Sequence, residues 1–71
     1  MSYDDALAVQ RRHESELLRL PGVSAVGVKR RDEHFVLEVS VDPDAQLPDE
    51  LTVPDLEGLP LEVARRRYEL H

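Results

Sequence analysis

Apolar residues recur at helical spacing along the first twenty positions of the chain. At about 100° per residue, Ala6, Val9, His13, Leu17 and Leu20 fall within an arc of roughly 80°, while Ala8, Arg12, Ser15 and Arg19 lie opposite. The pattern predicts an amphipathic helix over residues 2–20 with one buried face. Ser2 is placed to cap it, Asp5 stands three residues on in a capping-box position, and Asp4 and Asp5 suit the positive end of the helix dipole. Pro21 and Gly22 then stop the helix and turn the chain: proline lacks the amide that a continuing helix needs, and glycine accepts a positive φ.

The period changes to two beyond the turn. Over residues 23–31, Val26 and Val28 share one parity and the small Ala25 and Gly27 the other, which predicts a strand whose far side is not a large apolar surface. Over residues 34–42, Phe35, Leu37, Val39 and Val41 alternate against His34, Glu38 and Ser40, and Val36 alone breaks the rule. A short charged loop of Arg31, Asp32 and Glu33 joins the two, so an antiparallel hairpin is expected.

Residues 42–58 and their border carry Pro43, Pro48, Pro54 and Pro60, which rules out a long regular helix there. Leu47, Leu51, Val53 and Leu56 recur through the stretch, so it is expected to lie across the core, as loop with at most one short helical turn. Residues 59–70 mix strand-like alternation at Leu61 and Val63 with helix formers such as Glu62, Ala64 and the arginines 65–67; strand is preferred. The fold class that results is α+β, a single small domain over residues 1–71. One amphipathic N-terminal helix packs on a three-stranded, mainly antiparallel sheet in two layers (α-β-β-loop-β). The expected core joins Ala6, Val9, Leu17 and Leu20 to Val26, Val28, Phe35, Leu37, Val39, Val41, Leu61 and Val63, and the other sheet face is expected to be wet.

Size sets a limit on that core. A chain of 71 residues buries only about 60% of its unfolded surface. With no Trp, one Phe and two Tyr, it has few large side chains to fill the interior. Stability is therefore expected to draw on a partner surface. The absence of cysteine excludes a disulfide framework, a zinc knuckle, an iron–sulfur site and thiol catalysis. The first residues carry acids where a secretory leader carries bases, and no run approaches a membrane span; a cytoplasmic location and no membrane partner are the expectation.

The net charge of −6 is unevenly spread. Residues 42–62 hold seven acids and no base, whereas the nine bases form three groups: Arg11, Arg12 and Arg19; Lys29, Arg30 and Arg31; and Arg65, Arg66 and Arg67. Guanidinium forks match phosphate and stack on bases, which raises an anion or RNA as a ligand. An acidic chain without an aromatic platform makes nucleic acid an unfavourable partner. The use preferred for Arg30, Arg31, Arg65, Arg66 and Arg67 is an interaction surface facing the acidic segment of the same or another chain.

Catalytic patterns are lacking. Ser2, Ser15, Ser24, Ser40 and Thr52 occur in no GxSxG context, and Gly22, Gly27 and Gly58 are too far apart to cradle a phosphate. His13 lies on the apolar helix face and is expected to be a packed residue rather than a ligand; His34 and His71 have no close histidine partner. No enzyme, no metal and no cofactor are expected.

Leu17-Leu18-Arg19-Leu20-Pro21-Gly22-Val23-Ser24-Ala25-Val26-Gly27-Val28, followed by Phe35-Val36-Leu37-Glu38-Val39-Ser40-Val41-Asp42 and Leu56-Glu57-Gly58-Leu59-Pro60-Leu61-Glu62-Val63, resembles a known small module. It is similar to the domain that precedes the trypsin-like region in some bacterial serine-protease homologues, with its helix, PGV turn, two strands and L-x-G-x-P-x-x-V strand. The likeness spans residues 16–67 and implies a non-catalytic domain with strand over residues 61–67. Residues 13–41 also resemble heavy-metal-associated domains of ferredoxin-like fold. That family binds metal through a CxxC before its first helix, which this cysteine-free chain lacks, so neither the metal nor any site residue carries over. The function expected is a non-catalytic interaction or assembly module that self-associates as a homo-oligomer or binds a protein partner. The alternatives are a regulatory binder of an anion or RNA through the arginine groups, or a subunit that completes a partner enzyme.

Overall fold

The computed structural model describes residues 1–66. Helix α1 spans Tyr3–Leu18 and opens on the expected capping box. The Ser2 hydroxyl accepts the Asp5 amide at 3.1 Å, and the Asp5 carboxylate accepts the Ser2 amide at 3.4 Å. Its last turn is closed by the Arg19 and Leu20 amides, which donate to Glu16 and Leu17 carbonyls. The helix ends two residues short of the expected boundary because the residue before a proline, Leu20, is pushed out of helical geometry. Ala6, Val9 and Leu17 are buried, and His13 and Leu20 are half-buried beside them.

Strands β1 (Val23–Arg31) and β2 (His34–Val41) form the antiparallel hairpin. Residues 42–58 supply a 3-10 turn over Asp49–Leu51 and a two-residue strand β3 (Asp55–Leu56), and β4 runs over Leu59–Arg65. The sheet order is β1-β2-β4-β3. The α+β class stands, with four strands rather than three. The outer pairings, β1 with β2 and β3 with β4, are antiparallel, while the central pairing of β2 with β4 is parallel. Strand is the conformation of the described part of residues 59–70; Arg67 and the rest of that stretch lie outside the described residues. No helix among the described residues is long and apolar enough to cross a membrane.

Register decides which side chains meet. The pairs Val26/Val39, Val28/Leu37 and Leu37/Leu61 put these residues on one face, beneath α1 and residues 42–58. Leu37 and Val39 are completely buried, and Phe35 is partly buried against Tyr3, with ring centroids 5.7 Å apart. Leu51 from the 3-10 turn and Leu59 at the start of β4 complete the core, while Val53 points outward at 39% exposure. The other face is not uniformly wet as expected. Val36, Glu38 and Ser40 are buried there as well, because β2 is flanked on both sides and the side chains of its neighbours close over it.

Candidate functional site

On the open face of the sheet, parallel register sets Glu38 of β2 directly beside Glu62 of β4. Two adjacent carboxylates, one of them only 4% exposed, need a shared counter-charge. Arg31 supplies it from β1. Its guanidinium donates to Glu62 at 2.8 and 3.1 Å and to Glu38 at 3.0 Å. Arg66, just past β4, approaches Glu38 from the other end at 3.5 Å. The hydrogen bond and charge of Glu62, followed by the charge of Glu38, hold the Arg31 guanidinium above its ordinary pKa. Two cations from separate segments thus lean over the Glu38 side chain in its nearly dry position. Beside it on β1 stands Gly27, whose missing side chain leaves a shallow hollow of about 120 Å³ between Lys29, Glu38, Ser40 and Arg66.

The expected arginine surface is brought together only in part. Arg31 and Arg66 meet over Glu38. Arg30 lies on the helix-side parity at the hairpin end, where its Nε donates to the Asp32 carbonyl. Arg65 lies at the opposite end of that face and clamps residues 43–45, donating to the Pro43 and Ala45 carbonyls at 3.2 and 2.8 Å. Arg67 is outside the described residues. The acidic segment does face an arginine group through Glu62 and Arg31. A second acid of the segment, Glu57, pairs instead with a helix residue from the first basic group, Arg12.

That second contact makes a small polar latch. Glu57 sits in the β3–β4 turn at φ 53°, followed by Gly58 at φ 84°, and both its oxygens are used. Arg12 donates to them from Nε and Nη2 at 2.9 Å each, and His13 Nε2 lies 2.8 Å away. The Arg12 hydrogen bond first, and the His13 bond second, hold the Glu57 carboxyl below its ordinary pKa. Beside the latch, Leu17, Leu20, Val53 and Leu56 line an apolar cleft of about 340 Å³, with His13 on its wall. No group of three or more metal-ligating side chains converges among the described residues.

Glu38, Glu62 and the Arg12–Glu57 latch were not singled out by the sequence pattern. One signal for Glu38 is present: Val36 breaks the alternation of β2, as residues on a centrally placed strand do. The remaining edge of the sheet has a plain geometry. Among the described residues β1 is the terminal strand, nine residues long, and its only strand partner is β2. Its middle, Ala25 through Val28, bears no charge, and its end carries Lys29, Arg30 and Arg31. Comparison with known proteins returns no matching family model, no matching curated protein and no matching solved structure.

Proposed function

We propose that the chain is a non-catalytic interaction module that acts by self-association. The observation that carries this reading is the outer edge of β1, a nine-residue strand whose outward-facing alternate backbone donors and acceptors meet no second strand among the described residues. Edge strands of this length template pairing with another chain unless they are covered or blocked. Ala25 through Val28 contain neither proline nor charge to block it.

Two further features support the reading. A chain that buries only about 60% of its surface gains stability from any apolar contact that a second copy adds. The arginine side chains of Arg31, Arg65 and Arg66 already face carboxylates or carbonyls of their own chain, which favours a protein partner over a polyanion. Light scattering over a concentration series tests the proposal, with a salt-dependent mobility shift on RNA as the competing readout. A mass that rises from monomer toward a defined multiple supports it. A monomeric mass up to high micromolar concentration, in a chain that unfolds cooperatively, would falsify self-association.

A further inference from the structure

We infer that β1 pairs with β1 of a second copy, antiparallel about a two-fold axis at Gly27, so that two four-stranded sheets join into one of eight. This rests on the self-association reading and names its surface and its partner. A two-fold axis perpendicular to the sheet keeps each residue on its own face. Only registers in which the opposed positions share parity are therefore allowed.

Four such registers centre on Ala25 through Val28, and side-chain chemistry separates them; centring on Ala25 sets Val28 against Gly22, which lies before the strand begins. Centring on Val28 leaves a single valine pair, Val28 with itself, and sets Val26 against Arg30 and Ala25 against Arg31. Centring on Val26 sets Val28 against Ser24, which lies in the irregular step between Val23 and Ala25 where the β1 ladder breaks register. Centring on Gly27 sets Val26 against Val28 twice, on the side of the sheet where both already join the core. The same register places Ala25 against Lys29 on the open face and Ser24 against Arg30, so no two like charges are opposed.

Charge along the strand fixes the direction and the occupant. The far end of β1 carries Lys29 and Arg30, beside Arg31, whose guanidinium is held by Glu62 and Glu38 of its own chain. The near end abuts the acid Asp42, whose amide donates to the Gly22 carbonyl at 2.8 Å. Antiparallel pairing lays the basic end of each copy beside the acidic end of the other, and does so twice. Parallel pairing would stack bases on bases. The edge is thus complementary to itself, which is the property a second copy requires and an arbitrary strand does not supply. The opposite edge offers no equal: β3 has two residues, and joining β1 to it would repeat head to tail and leave the assembly open-ended.

Gly27 also provides the test. A Cβ built there meets no atom within 4 Å, and its backbone is not left-handed, so a side chain fits the monomer. Within one chain the residue opposite is Glu38, which welcomes a cation. Across the two-fold axis, Gly27→Lys opposes itself. Sedimentation velocity should show a wild-type dimer and a dimer for Gly27→Ala, while Gly27→Lys dissociates with a constant raised roughly fivefold or more. Amides of residues 25–28 should exchange more slowly as wild-type concentration rises. Arg30→Glu, a change on the exposed end of the strand, provides a second variant should Gly27→Lys not fold, and should weaken the dimer more at low salt than at high salt. A dimer unmoved by either variant, with exchange on β1 independent of concentration, overturns the edge pairing and leaves self-association through another surface. A species that grows beyond the dimer overturns the two-fold closure. A monomer throughout removes both this inference and the reading beneath it.

Discussion

The three glycines of the chain have three different surroundings, and replacing each by alanine should rank them. At Gly22 the backbone is left-handed at φ 83°, and an added Cβ would lie 2.5 Å from the Ala45 Cβ. Ala45 cannot simply retreat, because its carbonyl accepts from Arg65 and the neighbouring Asp42 amide is bonded to Gly22 itself. At Gly58 the φ is 84° with open space around, and at Gly27 neither constraint applies. Left-handed backbone costs an L-residue about 1–2 kcal/mol. The stiffer unfolded chain returns about 0.4–1 kcal/mol of that, and overpacking adds about 1–3 kcal/mol where it applies. Gly22→Ala should therefore lose about 2–4 kcal/mol, Gly58→Ala about 1 kcal/mol, and Gly27→Ala about nothing or slightly less than nothing. For 71 residues, 1 kcal/mol corresponds to about 7 °C in the thermal midpoint, so Gly22→Ala should melt about 15–25 °C below the wild type. Thermal and urea unfolding followed by circular dichroism, at a concentration where each variant is monomeric, measure the series. Adding Ala45→Gly to Gly22→Ala should return the overpacking part and leave the backbone part. The reasoning fails if Gly22→Ala costs no more than Gly58→Ala, or if Ala45→Gly recovers none of the loss.

The Glu57 latch predicts a pH dependence with a definite sign. Its folded pKa lies below the ordinary 4.5, so its contribution is complete above that value and disappears as pH falls through the lower folded value. The gap in thermal midpoint between wild type and Glu57→Gln should accordingly close on acidification; a gap that stays constant into strong acid refutes the latch. On the open face, Arg31→Met leaves the buried Glu38 carboxylate facing Arg66 at 3.5 Å and should lower the midpoint, and a further Glu38→Gln should recover part of the loss. No recovery would mean that Arg31 acts through packing alone.

The helix and the hairpin were legible because their determinants are local. Ser2 and Asp5 stand three residues apart, Pro21 and Gly22 are adjacent, and β1 and β2 are joined by a tight turn, so period and turn chemistry suffice to read them. Strand β3 was not legible, since two residues carry no period; only the Glu57–Gly58 pair, both at positive φ, marks a hairpin there. The burial of Glu38 and Ser40 was hidden for another reason. It follows from sheet order, in which β4 crosses to lie parallel beside β2, and no alternation along β2 encodes which strand will be its second neighbour. The Arg12–Glu57 pair spans 45 residues and depends on that same crossover.

The central place of β2 also bears on the order in which the sheet closes. Its run Val36–Val41 is buried in full, yet the strand that covers its second side ends at Arg65, 24 positions after Val41. Until β4 docks, the β1–β2 hairpin presents a hydrophobic strand with no second neighbour. The intervening stretch holds Pro43, Pro48 and Pro54 and cannot itself form a continuous strand against the exposed side. These prolines leave the place beside β2 open to β4.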